Sequence, residues 1–248
     1  MIDKYVIILL TAHIAGDFYV QTEERRTAKE KTLTGILCNS VMYYLASLVV
    51  IIPFISLDMI IAVTLLSVFH FVIDVGKYIY LKRTRKLYDN GVTFVWVQMV
   101  HIISIIILAY FMYRNGFGLT HFKIVDDIFN AFNLEKKAVA RVILSLLILH
   151  KPTNVMIQNV LANDIPKVSR DLLIVPDYKT GRRIGSVERL IMLMFIALDQ
   201  YSAMGLVLTA KSIARYDKIS KDQTFAEYYL LGTLLSTASV VLCKILIL

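Results

Sequence analysis

Long apolar stretches alternate with short polar segments along most of this 248-residue chain. In the first half, four such stretches each have about 20 residues, the length at which a helix crosses a hydrocarbon core of about 30 Å. Only residues 56 and 57 link the second stretch to the third, and so tight a link indicates antiparallel neighbours. The pattern therefore predicts four membrane-spanning helices, at residues 3–21, 33–55, 58–81 and 92–113.

The second half of the chain is less regular. Residues 138–162 are apolar but are interrupted by the run HKPTN, so this stretch is a span, a broken helix or a re-entrant element. A long helix is expected to start after Ser186, which would be its N-cap, and to run to Arg215. A last helix is expected over residues 225–248.

Two polar stretches of the second half, residues 114–137 and 165–185, are expected to be loops. The predicted fold is thus an all-α, polytopic transmembrane bundle of about six to seven spans. Residues 1–115 are expected to form a four-helix transmembrane domain. Residues 116–248 are expected to form a C-terminal membrane-associated region with about two to three further helices.

The composition points to the bilayer as the solvent. Hydrophobic residues make up 57% of the chain and charged residues 19%, and the mean hydropathy is +0.64, whereas charged residues are about a quarter of an ordinary soluble protein. The net charge of +8 comes mainly from loop residues, so nucleic acid is not an expected partner. Cys38 and Cys243 lie in apolar segments, have no CxxC neighbours and are expected to be buried.

The distribution of basic residues gives an orientation. Lys and Arg are concentrated in the loops at residues 22–32 and 82–91 and are absent from the short link between the second and third spans. By the positive-inside rule both loops are cytoplasmic, which leaves the N-terminus outside. We therefore predict a multi-pass protein of the cell's inner membrane.

Polar side chains recur at helical spacing inside three of the predicted spans. The spacing is i, i+4 and i+8 in the first span, i and i+4 in the third, and i and i+3 in the fourth, so each set shares a helix face. These residues are His13, Asp17 and Gln21, then His70 and Asp74, and finally Gln98 and His101. At about 1.5 Å per residue, all except Gln21 lie roughly 6–16 Å inside the cytoplasmic end of their span. The three spans are therefore expected to converge on one polar site.

A divalent cation is the partner that this set of side chains favours. An ionisable group near the middle of a span costs roughly 2.5–3.5 kcal/mol, and two buried aspartates also repel each other unless a cation lies between them. Nitrogen and oxygen ligands suit Zn²⁺, Mn²⁺ or Fe²⁺. The predicted ligands are His13, Asp17, His70, Asp74 and His101. Two alternatives stay open, a proton or ion pathway and a structural network in which each His pairs with the Asp one turn away.

Three short runs of the first half also carry a resemblance to a known family. AHIAGDFYVQ, HFVID and QMVH are similar to the pattern of a bacterial membrane family called domain of unknown function 3307. Related His/Asp spacing occurs in families described as membrane-bound metal-dependent hydrolases. The resemblance covers about the first 115 residues, and the run GRRIGSVERL with the segments that follow it resembles a part of longer members. It implies a polytopic membrane protein and no established activity.

The chain departs from that family pattern at two places. Val97 precedes Gln98, where the family commonly has an aspartate. The second span has Cys38 and Asn39, where the family often has a histidine. Asn39 is therefore a candidate substrate-binding residue, together with Gln21 of the first span.

Two basic residues one turn apart, Lys211 and Arg215, are further candidates for substrate binding. As a pair they could hold a phosphate or a lipid headgroup. The alternative is that they stabilise a helix C-terminus, with Glu227 as an ionic partner.

The leading functional hypothesis is metal-assisted hydrolysis of a lipid or phosphoester. Asp17 or Asp74 would be the general base, and Gln98 would orient a ligand or the substrate. The first alternative is a transporter in which the same residues bind a cation or relay protons. A further alternative is a non-catalytic sensor or scaffold that binds a cytoplasmic protein or forms a homo-oligomer.

Overall fold

The computed structural model describes residues 2–22, 29, 32–84, 91–119, 122–162, 164 and 178–248. Of these described residues, 86% are helical and none lies in a strand, so the predicted all-α class is confirmed. The helices are α1 (Asp3–Ile14), α2 (Leu33–Ile51), α3 (Leu57–Arg83), α4 (Gly91–Arg114), α5 (Lys123–Ala131), α6 (Lys136–Val160), α7 (Tyr178–Ala197), α8 (Tyr201–Ile213), α9 (Tyr216–Lys221) and α10 (Gln223–Leu246).

Five of the described helices are long and apolar enough to cross a membrane. They are Leu33–Phe54, which joins α2 to a short 3₁₀ turn, and the helices α3, α4, α6 and α10. The predicted first span is shorter, with 12 α-helical residues followed by five in a π-helix. The outer faces are apolar: along α2, side chains at four-residue intervals are about half exposed or more, namely Leu37, Val41, Leu45 and Val49. Such faces are typical of helices that contact lipid.

The chain divides into two compact units, Met1–Leu147 and Ile148–Leu248. In the first unit, α1 packs on α2, α2 on α3, α3 on α4, and α4 back on α1, so the four helices form a closed ring. Its apolar core contains large buried side chains from each helix, among them Leu9, Met59 and Ile105. The predicted domain division at residue 115 stays a prediction.

Two side-chain caps position the central helices of this bundle. The Thr32 hydroxyl accepts a hydrogen bond from Gly35 N–H at the start of α2, and the Ser56 hydroxyl accepts one from Met59 N–H at the start of α3. Each cap satisfies a backbone N–H that the first helical turn leaves unpaired. Because only Ile55 and Ser56 separate the 3₁₀ turn from α3, α2 and α3 pack side by side.

The first helix does not run as one α-helix to Gln21, contrary to our expectation. Regular α-helix ends at Ile14, and a π-helix follows over Ala15–Tyr19, closed by the hydrogen bond from Val20 N–H to the Ala15 carbonyl at 3.1 Å. A π-helix has more residues per turn than an α-helix, so it rotates every side chain after its start. Gln21 lies beyond the helical end.

The apolar stretch interrupted by HKPTN is one helix, α6, with Pro152 inside it. Proline has no N–H to donate to the carbonyl four residues earlier, which is that of Ile148. The Thr153 hydroxyl donates to this carbonyl at 2.8 Å instead. The Leu149 carbonyl accepts from the Arg189 guanidinium at 2.6 Å. The helix therefore continues because two side chains replace backbone bonds near the proline.

Two expectations about the polar stretches are wrong. The stretch at 114–137 contains the helix α5, and helix α7 already begins at Tyr178, before the expected N-cap Ser186. Ser186 is a buried residue inside α7, where its hydroxyl donates to the Arg182 carbonyl at 3.0 Å. A serine two residues before a glutamate resembles an N-cap in sequence, but here the hydroxyl bonds a carbonyl inside the helix.

The long helix expected between Ser186 and Arg215 is two helices. It breaks after Ala197, where Asp199 has a φ of 54° and Gln200 N–H donates to the Phe195 carbonyl at 2.8 Å. An aspartate in the left-handed region is a tolerated way to end a helix without glycine. One cysteine expectation also needs correction, because Cys38 is exposed on α2, while Cys243 is buried as expected.

Candidate metal centre

Three buried histidines from three helices meet inside the four-helix ring. His13 comes from the end of α1, His70 from the middle of α3 and His101 from α4, and each is 1–2% exposed. One ring nitrogen of each lies within 4.8 Å of the corresponding nitrogens of the other two. The ring centroids of His70 and His101 are 4.5 Å apart, and those of His13 and His101 are 5.0 Å apart. This group can hold a metal ion.

Two buried aspartates border the histidines, and a lysine lies between their carboxylates. The Lys29 Nζ is 2.8 Å from Asp74 Oδ2 and 3.3 Å from Asp17 Oδ1. Burial disfavours the ammonium form of Lys29, but the attraction of the two carboxylates outweighs it and raises the pKa of this amine. The lysine is therefore charged at neutral pH and compensates the carboxylates.

Sequence reasoning missed Lys29, which we counted only as one of the basic residues that orient the chain. Nothing in its spacing marks it, since it belongs to a charged segment between two spans. The role of Lys29 follows from the position of its side chain, which is only 11% exposed.

Gln98 links a histidine to a carboxylate. Its side-chain N–H donates to Asp17 Oδ2 at 3.0 Å, and its carbonyl oxygen lies 3.3 Å from His13 Nε2. For both contacts to be hydrogen bonds, His13 must carry its proton on Nε2. The other nitrogen, Nδ1, then accepts from the Tyr43 hydroxyl at 3.2 Å. In this tautomer, which Gln98 fixes, the lone pair of His13 lies on Nδ1 and accepts the Tyr43 hydrogen bond, so that bond must open before Nδ1 can bind a metal ion.

Tyr43 is a second residue that sequence reasoning missed. Its ring is fully buried and stacks on the His70 ring, with centroids 3.9 Å apart and an interplanar angle of 24°. A glycine makes room for it: a Cβ at Gly16 would lie 2.5 Å from Tyr43 Cδ2. A signal was present in the sequence, because Asn39, Tyr43 and Ser47 recur at four-residue steps and form the buried polar face of α2.

Some polar atoms of the centre have no hydrogen-bond partner among the described residues. His101 Nε2 is one, and Asp74 Oδ1 is another. His70 has close contacts without hydrogen-bond geometry, since its Nδ1 and Nε2 each lie 3.4 Å from an oxygen of Asp74 or Asp17. Buried polar atoms in proteins nearly always have a hydrogen-bond partner, so several atoms without one in the same place are a position that a bound ion or water would fill.

The histidine triad fits the coordination chemistry of a transition metal. Tetrahedral zinc holds nitrogens at about 2.0–2.1 Å, which separates them by about 3.3 Å from one another. The three ring nitrogens, now within 4.8 Å, would have to approach one another by up to about 1.5 Å to hold zinc. Three histidines leave a fourth position open, the pattern of catalytic rather than structural zinc sites.

The remaining predicted site residues fall into two groups. Gln21 and Asn39 lie together, with the Gln21 amide donating to Asn39 Oδ1 at 3.1 Å. Lys211 and Arg215 belong to the other compact unit. Lys211 pairs with Glu188, at 2.6 Å between Nζ and Oε2, so the expected pairing with Glu227 is wrong. The substrate-binding roles of all four residues stay predictions.

Comparison with known proteins identifies a family but no activity. The family described as "Protein of unknown function (DUF3307)" matches residues 5–129, which is half of the chain and includes all three histidines. No curated protein and no solved structure matches the chain. The chain thus belongs to the DUF3307 family of proteins of unknown function.

Proposed function

We propose that this protein is a metal-dependent hydrolase of the membrane that acts on a lipid or a phosphoester. The observation that carries the proposal is the convergence of three buried histidines from three helices, with one nitrogen of each within 4.8 Å of the others. A purely structural network would pair its polar atoms, whereas His101 Nε2 has no partner among the described residues.

The surrounding side chains have distinct roles in this proposal. A divalent ion held by the three histidines supplies Lewis-acid activation of water. Asp74 is the better general base, because its Oδ1 is unpartnered among the described residues, whereas Asp17 has Lys29 at one oxygen and Gln98 at the other. Asp17 therefore holds Gln98, which in turn orients His13.

A membrane location supports a lipid-linked substrate. Several helices have apolar, exposed faces, and the site is buried among helices long enough to span a bilayer. If the loops at 22–32 and 82–91 are cytoplasmic, Lys29 reaches the site from that side of the inner membrane. The substrate would then be a headgroup or phosphoester that enters from the cytoplasmic leaflet.

A transporter is the second candidate, and the ion-paired aspartates favour it. Buried carboxylates that share one lysine are typical of proton and cation pathways in membranes. Uptake of the bound cation into proteoliposomes, or a proton flux driven by it, distinguishes this function from hydrolysis.

Metal content is the decisive test. Elemental mass spectrometry on the detergent-purified wild type should find close to one Zn, Mn or Fe per chain, and the His13→Ala/His70→Ala variant should contain none. His150→Ala is the matched control, because His150 is exposed on α6, and it should retain the metal. A metal-free wild type after reloading with each cation would reject the proposal.

If metal is present, a panel of phospholipids and lipid phosphoesters tests the reaction. Release of product should require the metal and should be lost in Asp74→Asn, which keeps the side-chain shape but cannot accept a proton in the same way. Metal binding without turnover on any lipid or phosphoester, together with cation uptake, would favour the transporter.

A further inference from the structure

The Lys29 side chain occupies a position that two buried carboxylates define. Its Nζ is 2.8 Å from Asp74 Oδ2 and 3.3 Å from Asp17 Oδ1, and both aspartate side chains are at most 6% exposed. The amine thus forms an ion pair with each carboxylate, and the contact with Asp74 is the shorter one. A buried pair of carboxylates needs a cation, and here the chain itself supplies one.

The atoms around that amine are those that a divalent ion would use. Three carboxylate oxygens contact neighbouring side chains, namely both oxygens of Asp17 and Oδ2 of Asp74. The fourth, Asp74 Oδ1, has no hydrogen-bond partner among the described residues. The two His70 nitrogens lie 3.4 Å from the same carboxylates. This set is richer in oxygen than the three-histidine position and suits a harder ion such as Mn²⁺.

We infer that Lys29 takes the place of a second metal ion. Its ammonium group fills the position between Asp17 and Asp74, so the chain binds one metal ion, at His13, His70 and His101, rather than two. The count of one rests on the proposed function, whereas the occupation of the carboxylate pair by Lys29 does not. Lys29 is therefore a residue that sets how many metal ions the centre holds and which metal it prefers.

The arrangement explains why the two aspartates need not be metal ligands. A lysine carries one positive charge and three N–H donors, whereas a divalent ion would hold both carboxylates more tightly and draw Asp17 from Gln98. With Lys29 in place, Asp17 stays bonded to Gln98 at 3.0 Å. The histidines are then left as ligands for a softer ion.

The test is the number and preference of metal ions in a Lys29→Met variant. Titration of the metal-free, full-length protein in detergent with Zn²⁺ and separately with Mn²⁺ gives stoichiometry and affinity, and elemental mass spectrometry gives the content after dialysis. We expect Lys29→Met to bind one more ion per chain than the wild type and to bind Mn²⁺ at least tenfold more tightly.

Three further variants separate charge from structure. Lys82→Met removes a lysine that is exposed on α3 and has its Nζ over the Tyr78 ring, so it should match the wild type. Lys29→Arg keeps a cation and should also match it. Lys29→Met/Asp74→Asn removes the carboxylate pair and should lose the additional ion. If Lys29→Met does not yield a monodisperse protein, Lys29→Gln replaces it in the same titrations.

Each outcome decides between the two proposals. One ion in the wild type and two in Lys29→Met supports both. One ion in each, with unchanged Mn²⁺ affinity, overturns the role of Lys29 and leaves the histidine site standing. No ion in the wild type but binding in Lys29→Met supports the role of Lys29 and rejects the resident metal. No ion in either overturns both.

Discussion

Among its described residues, each compact unit of this protein has a buried polar cluster, and the two clusters differ in how many of their polar atoms have hydrogen-bond partners. In the Ile148–Leu248 unit, the Arg189 side chain is 1% exposed. Its guanidinium donates four hydrogen bonds, to the Leu149 carbonyl at 2.6 Å, Asn154 Oδ1 at 2.7 Å, Ser236 Oγ at 3.2 Å and Ser186 Oγ at 3.3 Å. We call these residues the arginine cluster.

The histidine cluster of the Met1–Leu147 unit consists of His13, His70, His101, Asp17, Asp74, Lys29, Gln98 and Tyr43. It contains more charges than the arginine cluster, yet polar atoms of His101 and Asp74 have no hydrogen-bond partner among the described residues. The arginine cluster stabilises the proline-containing helix α6, and its donors meet neutral acceptors. A buried charge by itself therefore does not distinguish the two clusters, whereas the buried polar atoms without a partner among the described residues do.

The largest effect on stability is expected from the arginine cluster. Arg189→Met removes four hydrogen bonds, among them the one from the guanidinium to the Leu149 carbonyl near Pro152. Unsatisfied buried acceptors cost about 1–3 kcal/mol each, so we expect a loss of about 3 kcal/mol in unfolding free energy. Thermal unfolding in detergent measures it, and metal content should not change.

The matched control for that variant is Arg183→Met, since Arg183 is exposed on α7 and its loss should leave the unfolding midpoint within error. A lower metal content in Arg189→Met with unchanged stability would reverse the assignment, because the arginine cluster would then serve the centre.

A smaller effect is expected at the contact between the π-helix and α2. Gly16→Ala places a methyl group 2.5 Å from Tyr43 Cδ2, so the tyrosine must move from its stack on His70. Overpacking of this kind costs about 1–3 kcal/mol, and we expect a value near 2. Unlike Arg189→Met, this variant should also lower the metal affinity.

Gly76→Ala is the control for this glycine. Gly76 lies on α3, and a Cβ there would meet nothing within 4 Å. Alanine is the better helix former, so Gly76→Ala should leave stability unchanged or raise it by up to about 1 kcal/mol. Equal destabilisation by both substitutions would show that the loss comes from helix propensity and not from Tyr43.

The smallest effect, a change in metal affinity, is expected from the removal of one hydroxyl group. Tyr43→Phe keeps the ring on His70 but removes the hydroxyl that contacts His13 Nδ1 at 3.2 Å. Because a metal ion would use the Nδ1 lone pair that this hydroxyl occupies, its removal should tighten metal binding by no more than about tenfold, since one hydrogen bond contributes about 0.5–1.5 kcal/mol. Competition with a metal indicator measures the affinity.

Tyr44→Phe tests whether that effect is specific. The neighbouring Tyr44 hydroxyl contacts Thr64 Oγ1 at 3.3 Å in an exposed position, so its removal should leave metal affinity unchanged. If Tyr43→Phe binds metal less tightly than the wild type, the hydroxyl positions His13 and does not compete with the metal for Nδ1.

The helical spacing of polar residues was a good guide to which side chains approach one another. His13, His70 and His101 come from three different helices. Their similar depth within the predicted spans predicted one polar site, and the structure brings the three together. The same spacing failed at Gln21, which lies beyond the π-helix at Ala15–Tyr19 and donates to Asn39. A π-helix has more residues per turn, so a stripe counted at four-residue steps does not continue past it.

In the second half of the chain, the pattern of apolar and helix-breaking residues did not predict where the helices continue and where they end. Proline at position 152 predicted an interruption, but α6 continues because Thr153 and a distant arginine satisfy the carbonyls near it. In contrast, the apolar stretch after Arg189 predicted one helix, and the chain breaks at Asp199. A partner remote in sequence contributes to the first case, and a left-handed residue within the segment ends the helix in the second.

The sequence by itself determined the helical class, the apolar helices and the polar residues inside them, because length, hydropathy and helical period are local properties of the chain. The tertiary structure alone decided that Lys29 lies between Asp17 and Asp74, that Tyr43 stacks on His70, and that Lys211 pairs with Glu188. These contacts join residues from separate segments, and charge or spacing within one segment does not specify which partner is reached. The chemistry of the centre depends on them.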